Sequence, residues 1–328
     1  MTAACMLQTS AVIFCTVTAL FLPAQPTAAQ TYPVKPIRII VPYPAGGSTD
    51  ILTRIVGQKL TEAWRQQVII DNRPGASGNI GAEAVVRAPA DGYMLLSAST
   101  VHTVNPSLYS KLAYDPLKDF TPIALLAQVA NILVVHPSLP VHSVKEFIAF
   151  AKQRPGQLNF SSAGNGSAPH LTAEMFKSRT GVNMVHVPYK GAPPAMADLL
   201  AGQVALTFAT APSAVPHVQT GQLRALGVSS ATRIPALPAV PTIAEAGVPG
   251  YEAIGWNGLV GPSGMPPAIV DRLNAELVKI VRTPDTSKRL SDVGLDSRTG
   301  TVAEFATFLK EEVVKWAKVV KDSGARVD

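Results

Sequence analysis

Ile37-Arg-Ile-Ile-Val41 runs into Pro42-Tyr-Pro-Ala-Gly-Gly-Ser-Thr-Asp50 and then into the stretch Ile51 to Trp64. The first piece is a short β-rich run. The second is a loop of small and turn-forming residues. In the third, Ile51, Leu52, Ile55, Val56 and Leu60 recur on one face of a helix. Strand, glycine loop and helix in that order form half of a βαβ unit, and such units build mostly parallel sheets with right-handed crossovers.

The pattern repeats along the chain. Val68-Ile-Ile70 reads as a strand, Ile80 to Arg87 as a helix and Tyr93-Met-Leu-Leu-Ser97 as a strand. Ser143-Val-Lys-Glu146 opens the helix Phe147 to Gln153 as a capping box, and Thr301-Val-Ala-Glu304 does so for the terminal helix. In that last helix Phe305, Leu309, Trp316 and Val320 share a face. Two apolar stretches fit crossovers between two lobes. One is Pro122-Ile-Ala-Leu-Leu-Ala127, running on through Asn131-Ile-Leu-Val-Val135; the other is Ala253-Ile-Gly-Trp-Asn-Gly-Leu-Val260. A chain that leaves one lobe at the first and returns at the second makes the first lobe discontinuous. The predicted boundaries are 30–128 plus 253–328 for lobe 1 and 129–252 for lobe 2.

Composition narrows the function. The 328 residues are 47% hydrophobic and 15% charged, which excludes a disordered chain. The net charge of +6 is scattered, with no run of three basic residues, so nucleic acid is not an expected partner. Met1 to Gln30 carries no charged side chain, and its apolar run Ala11 to Leu22 is followed by Thr27-Ala28-Ala29. This predicts an export signal spanning 1–29, cleaved near Ala29, and a periplasmic mature chain. Cys5 and Cys15 both fall within that signal, which leaves no disulfide, thiol nucleophile or cysteine metal site. Phe14, where a lipoprotein signal needs a small residue, argues against lipidation.

A second segment shares the architecture of the first. Leu158-Asn-Phe-Ser-Ser162 enters Ala163-Gly-Asn-Gly-Ser-Ala-Pro169, with a helix expected near His170 and Pro169 at its first position. The first amides of a helix lack internal partners and carry partial positive charge, so each loop is an ordinary connection or an anion site. Neither loop contains Lys or Arg. A carboxylate, which backbone amides and hydroxyls can hold, fits this better than a phosphate. Lys190, in Val187-Pro-Tyr-Lys-Gly191, is the nearest cation by pattern. Tyr43, Tyr189, Phe208 and Trp256 lie where they could line a cleft. Asp50 either pairs with a ligand amine or complements the helix dipole.

Enzyme signatures fail. Pro169 stands where a dinucleotide loop needs its third glycine, and Asn79 replaces the last glycine of a nucleophile elbow. The six histidines lack metal-ligand spacing. No cofactor, metal or catalytic residue is expected. An exported hydrolase using Ser77 or Ser167 with a histidine remains as an alternative, as does a diffusible carboxylate sensor for a membrane receptor.

Taken together, Tyr32-Pro-Val-Lys-Pro36, Ile40 to Asp50, Asn72-Arg-Pro-Gly-Ala-Ser-Gly-Asn-Ile-Gly-Ala82, Asp91-Gly-Tyr93, Asn105-Pro-Ser-Leu-Tyr109, Ser162-Ala-Gly-Asn-Gly166, His186-Val-Pro-Tyr-Lys-Gly191 and Leu237-Pro-Ala-Val-Pro-Thr242 resemble the solute-binding proteins of tripartite tricarboxylate transporters, the Bug or TctC-like family. The resemblance covers essentially the whole chain after the export signal. It implies an α/β, type II periplasmic binding protein fold, with two α/β lobes joined by a two-strand hinge. It implies capture of a small organic carboxylate for integral-membrane permease subunits. Residue by residue it points to Tyr43, Ala45, Gly46, Gly47, Ser48 and Asp50 in one lobe, and to Ser162, Ala163, Gly166, Ser167, His170 and Tyr189 in the other, with Ser99 and Thr100 at the cleft wall. One departure falls at Ala209, where many relatives carry an acidic residue. Its absence argues against an amino acid and favours a plainer dicarboxylate or an aromatic carboxylate.

Overall fold

Ile37, Ile39, Ile40 and Val41 are all fully buried, so the strand they form, β1 (Ile37–Val41), is an inner strand covered on both faces. The computed structural model describes residues 32–323, and the expected export signal lies outside them. After β1 come α1 (Ser48–Trp64), β2 (Val68–Asn72), α2 (Asn79–Val86), β3 (Met94–Ser99) and α3 (Thr100–Leu108). A long strand follows, β4 (Phe120–Val135). Next are α4 (Val144–Lys152), β5 (Asn159–Ser162), α5 (Ala168–Thr180), β6 (Val185–Pro188), α6 (Ala192–Leu200), β7 (Leu206–Thr210), α7 (Ala211–Gln219) and β8 (Arg224–Val228). The chain ends with β9 (Ile254–Pro262), α8 (Pro267–Arg282), α9 (Pro284–Asp292), β10 (Leu295–Ser297) and α10 (Val302–Ser323).

Two sheets share β4. The first has the order β2-β1-β3-β9-β4-β10 and uses β4 from Phe120 to Ala130. The second has the order β8-β4-β7-β5-β6 and uses β4 from Asn131 to Val135. The apolar stretches Pro122–Ala127 and Asn131–Val135 are therefore one 16-residue strand. The sheets are parallel where helices connect neighbouring strands, at β1–β2, β1–β3, β5–β6 and β5–β7. They are antiparallel in the middle, at β3–β9, β4–β9, β4–β7 and β4–β8. The expectation of mostly parallel pairing fails there because side-chain periodicity carries no information on strand direction.

Each sheet has its own core. Ile40, Leu96, Trp256, Val260, Phe305 and Leu309 pack on the first. Phe147, Phe160, Phe176, Phe208 and Tyr251 pack on the second. A third cluster joins α3, α5 and α10 through Val104, Leu108, Leu171, Trp316 and Val320. Burying a side chain of this size stabilises by ~1.5–3 kcal/mol. The indole Nε1–H of Trp316 donates to Glu312 at 2.6 Å, which satisfies the buried polar end of that ring.

The capping boxes form. Ser143 accepts from the Glu146 amide at 3.2 Å, while the Glu146 carboxylate accepts from the His142 amide, one residue before the cap, at 2.7 Å. At α10 the exchange is reciprocal: the Thr301 amide donates to Glu304 at 2.7 Å and the Glu304 amide to Thr301 at 3.2 Å. Among the described residues no helix is long and apolar enough to cross a membrane.

Candidate functional site

The loop after β1 folds back on the first turn of α1. Gly46 sits at φ +94°, a conformation that L side chains rarely adopt. That turn lets the Gly46 amide donate to the Asp50 carboxylate at 3.0 Å. Arg54 Nε and Asn72 Nδ2 also donate to Asp50, each at 2.9 Å, and Asn72 Nδ2 reaches the Tyr43 carbonyl at 3.0 Å. Burial acts to raise the Asp50 pKa, but the hydrogen bonds from Arg54, Gly46 and Asn72 outweigh it and hold the carboxyl below its usual range. Asp50 is thus the anchor of its own loop, and its carboxylate is turned to protein partners.

Imidazoles hold the second loop. His170 and His186 stack with ring centroids 4.0 Å apart. His170 Nδ1 accepts from the Gly166 amide at 3.1 Å, and His186 Nε2 lies 2.6 Å from Ser162 Oγ. Burial, then the neighbouring His186 and Lys177, lower the His170 pKa to about 3; burial, then Lys177, lower that of His186 to about 4. Both rings are neutral at physiological pH, and the accepting Nδ1 of His170 requires it of that ring. Gly166 is at φ +73°, and a Cβ there would meet Leu108 Cδ1 at 2.1 Å.

Between the loops lies an inner cavity of about 70 Å³. The starts of five helices line it: Gly47–Thr49 of α1, Ser99–Val101 of α3, Ser167–Pro169 of α5, Gly191 and Ala192 of α6, and Thr210 of α7. Five helix N-termini, each a positive dipole end, therefore border one space, although prolines occupy part of the first turns of α5, α6 and α7. No Lys, Arg, His, Asp or Glu is among the lining residues. The caps differ in kind from those elsewhere. Ser99, Ser167 and Thr210 precede helices yet make no side-chain capping bond, whereas Ser143, Thr283 and Thr301, away from the cavity, all do. Ser167 Oγ and Asn257 Nδ2 are buried without a protein partner; Asn257 spends its carbonyl on Thr49 Oγ1 at 2.8 Å. The arrangement can hold an anionic group by hydrogen bonds alone.

An outer cavity shares Tyr43, Pro44, Val101, Ala163, Ser167 and Gly191 with the inner one and extends to Gly75–Gly78, Asn165, Tyr189 and Lys190. The two sides meet closely here. Ser77 Oγ donates to the Asn165 carbonyl at 3.2 Å, and a Cβ on Gly191 would meet Pro44 Cγ at 2.7 Å.

Of the residues expected at the site, Tyr43, Gly47, Ser48, Ser99, Thr100, Ala163 and Ser167 line the inner cavity, and Tyr189 lines the outer one. The Tyr189 hydroxyl is committed to Asp198. Ala45, Gly46, Asp50, Ser162, Gly166 and His170 line neither; Asp50, Ser162 and His170 instead shape the two loops. Lys190 is exposed at the outer cavity. Trp256 reaches the cavity wall, but Phe208 is fully buried against Phe176. Pro169 takes the second helical position, since α5 begins at Ala168. Sequence reasoning missed Gly191, Ala192 and Thr210. A signal existed: Ser167-Ala-Pro169, Gly191-Ala-Pro193 and Thr210-Ala-Pro212 repeat one helix-opening pattern.

The hydrolase alternative lacks its geometry. Ser77 donates to a carbonyl and Ser167 Oγ has no partner, so neither is paired with a histidine. Among the described residues no group of three His, Cys, Asp or Glu side chains is placed to hold a metal ion.

A family model described as "Tripartite tricarboxylate transporter family receptor" matches residues 52–325. The protein BugT of Bordetella pertussis is 37% identical over 306 residues, covering 93% of this chain and 94% of BugT. The solved structure of R. palustris Rpa4515 with adipate superposes with a TM-score of 0.88 at 39% identity, covering 90% of this chain and 100% of that one. MatC (Rpa3494) from Rhodopseudomonas palustris with bound malate gives 0.83 at 32% identity, covering 88% and 100%.

Proposed function

The chain belongs to the tripartite tricarboxylate transporter receptor family, a family of periplasmic solute-binding proteins with an α/β fold, and from that premise we propose that its inner cavity captures a small dicarboxylate. One carboxylate lies against the amides and hydroxyls of Gly47–Thr49, Ser99, Ser167 and Thr210. The observation that carries this reading is the set of Ser and Thr N-caps that make no bond to their own helix backbone where helix starts converge, with Ser167 Oγ lacking any protein partner. Each hydrogen bond to a charged group is worth ~1.5–3 kcal/mol, so a few replace a cationic side chain.

The ligand lacks an α-amino group. No acidic side chain lines either cavity, and Ala209, buried in β7, supplies none. An ammonium drawn into this space would find no counter-charge. Adipate and malate, the acids held by the two solved relatives, set the scale.

Residues 30–128 plus 253–328 act as one lobe and 129–252 as the other, with the two sheets as their frames. β4 passes between them and is half of the hinge. Ligand contacts from both lobes favour the closed arrangement through their differential affinity. The loaded protein then presents its cargo to the integral-membrane subunits of the transporter.

A thermal-shift screen followed by calorimetry tests this. C4 to C6 dicarboxylates should raise the melting temperature and bind, because a ligand of the native state stabilises it. Tight binding of glutamate or aspartate, with no response to succinate, malate or adipate, would overturn the assignment.

A further inference from the structure

Behind Tyr43 lies a small chamber walled by Pro42, Tyr43, Ser77, Gly78, Ser99, His102, Asn105 and Tyr114, with room for about one water molecule. Two of its polar atoms, His102 Nε2 and Asn105 Oδ1, are buried and have no partner in the protein. The residues are 4% and 1% exposed, so bulk solvent does not serve them.

The chemistry of both atoms can be assigned. His102 hydrogen-bonds the backbone of Pro116. Proline has no amide hydrogen, so the ring must donate through Nδ1–H. Burial lowers the His102 pKa to about 4, the ring is neutral, and Nε2 is left as an acceptor. Asn105 Nδ2 faces the Ser77 carbonyl at 3.2 Å and Asn79 Oδ1 at 2.6 Å. A carbonyl only accepts, which fixes the amide orientation and leaves Oδ1 as an acceptor too. Two residues of one water-sized chamber therefore each offer an acceptor that no protein donor reaches.

We propose that this chamber is a water site, in which one molecule donates both hydrogens, to His102 Nε2 and Asn105 Oδ1, and accepts from the Tyr43 hydroxyl. Tyr43 is already 2.9 Å from Ser99 Oγ, and both side chains also line the inner cavity. The water ties the Tyr43–Ser99 pair to two buried, immobile residues. His102 and Asn105 are thus positioning residues for the cleft wall, although neither lines the inner cavity. The water site itself stands without the ligand assignment; its effect on affinity rests on the proposed dicarboxylate reading.

A high-resolution crystal structure of the ligand-free wild type decides the site. Density for a solvent atom within ~3.2 Å of both His102 Nε2 and Asn105 Oδ1 is expected. A chamber without such density overturns the proposal. In solution, His102→Phe removes the acceptor, whereas His102→Gln retains one. Affinity for adipate should fall roughly tenfold in His102→Phe, the worth of one hydrogen bond, and recover in His102→Gln. Wild-type affinity in a folded His102→Phe would overturn the positioning role. Should His102→Phe not fold, the density and the His102→Gln affinity still decide. A wild type that ignores adipate counts against the ligand class, and the density still settles the water.

Discussion

Gly47→Val separates ligand recognition from folding at this cleft. Gly47 caps α1 with φ −83° and ψ 170°, an extended conformation open to any residue. A Cβ built there meets no protein atom within 4 Å, and the residue lines the inner cavity. The valine methyls therefore enter ligand space without striking the fold. Valine is a poorer N-cap than glycine, while its stiffer unfolded chain returns ~0.4–1 kcal/mol. The net change in stability should stay within about 1 kcal/mol, or ~2–4 °C in Tm. Binding fares differently. Blocking one hydrogen bond to a charged carboxylate costs ~1.5–3 kcal/mol, or roughly 10- to 100-fold in Kd. Calorimetric titration with adipate, beside thermal melts of both proteins, measures the two effects. Wild-type affinity in Gly47→Val would refute the reasoning; so would a melting temperature lowered by ~10 °C or more, because Gly47 would then be structural. The neighbouring Gly46 cannot serve, since at φ +94° any side chain is strained.

Three further outcomes follow from the same structure. His102, His170 and His186 are buried bases with pKa values lowered to about 4, 3 and 4, so the unfolded chain binds more protons than the native one as pH falls below about 6.5. Stability should be full above that pH and decline towards pH 4, with His102 alone accounting for roughly 3 kcal/mol; urea midpoints that stay level across this window would contradict it. His170→Phe leaves the Gly166 amide unpaired inside the second loop and should cost ~1–3 kcal/mol in chemical denaturation. Lys190→Ala should change adipate affinity less than about threefold, because the exposed ammonium is screened and absent from the inner cavity.

Both glycine loops, the helices they open and the capping boxes were legible in the sequence because each rests on local chemistry. Ser143 and Thr301 cap helices for reasons confined to four residues. The direction of β4 and β9, and the sharing of β4 by two sheets, were not legible; strand pairing is a long-range choice that periodicity leaves open. The site divided in the same way. Gly47, Ser48 and Ser167 could be placed from their loops alone. Asp50 and His170 lie beside the same loops but are buried against protein partners, because Asn72 and His186 reach them from elsewhere in the chain. Thr49 and Asn257, from α1 and β9, meet across 208 positions, and no local pattern announces that pair.

A cradle of backbone dipoles has a consequence for letting go. A lysine or arginine would stay with its anion wherever its flexible arm could follow. Peptide amides cannot follow: those of α1 and α3 belong to the first sheet's half, and those of α5, α6 and α7 to the second. Parting the two proposed lobes would withdraw three of the five helix ends at once. In the proposed binding cycle the hold on the ligand would then be lost in one motion, with no ion pair to break and no proton to move.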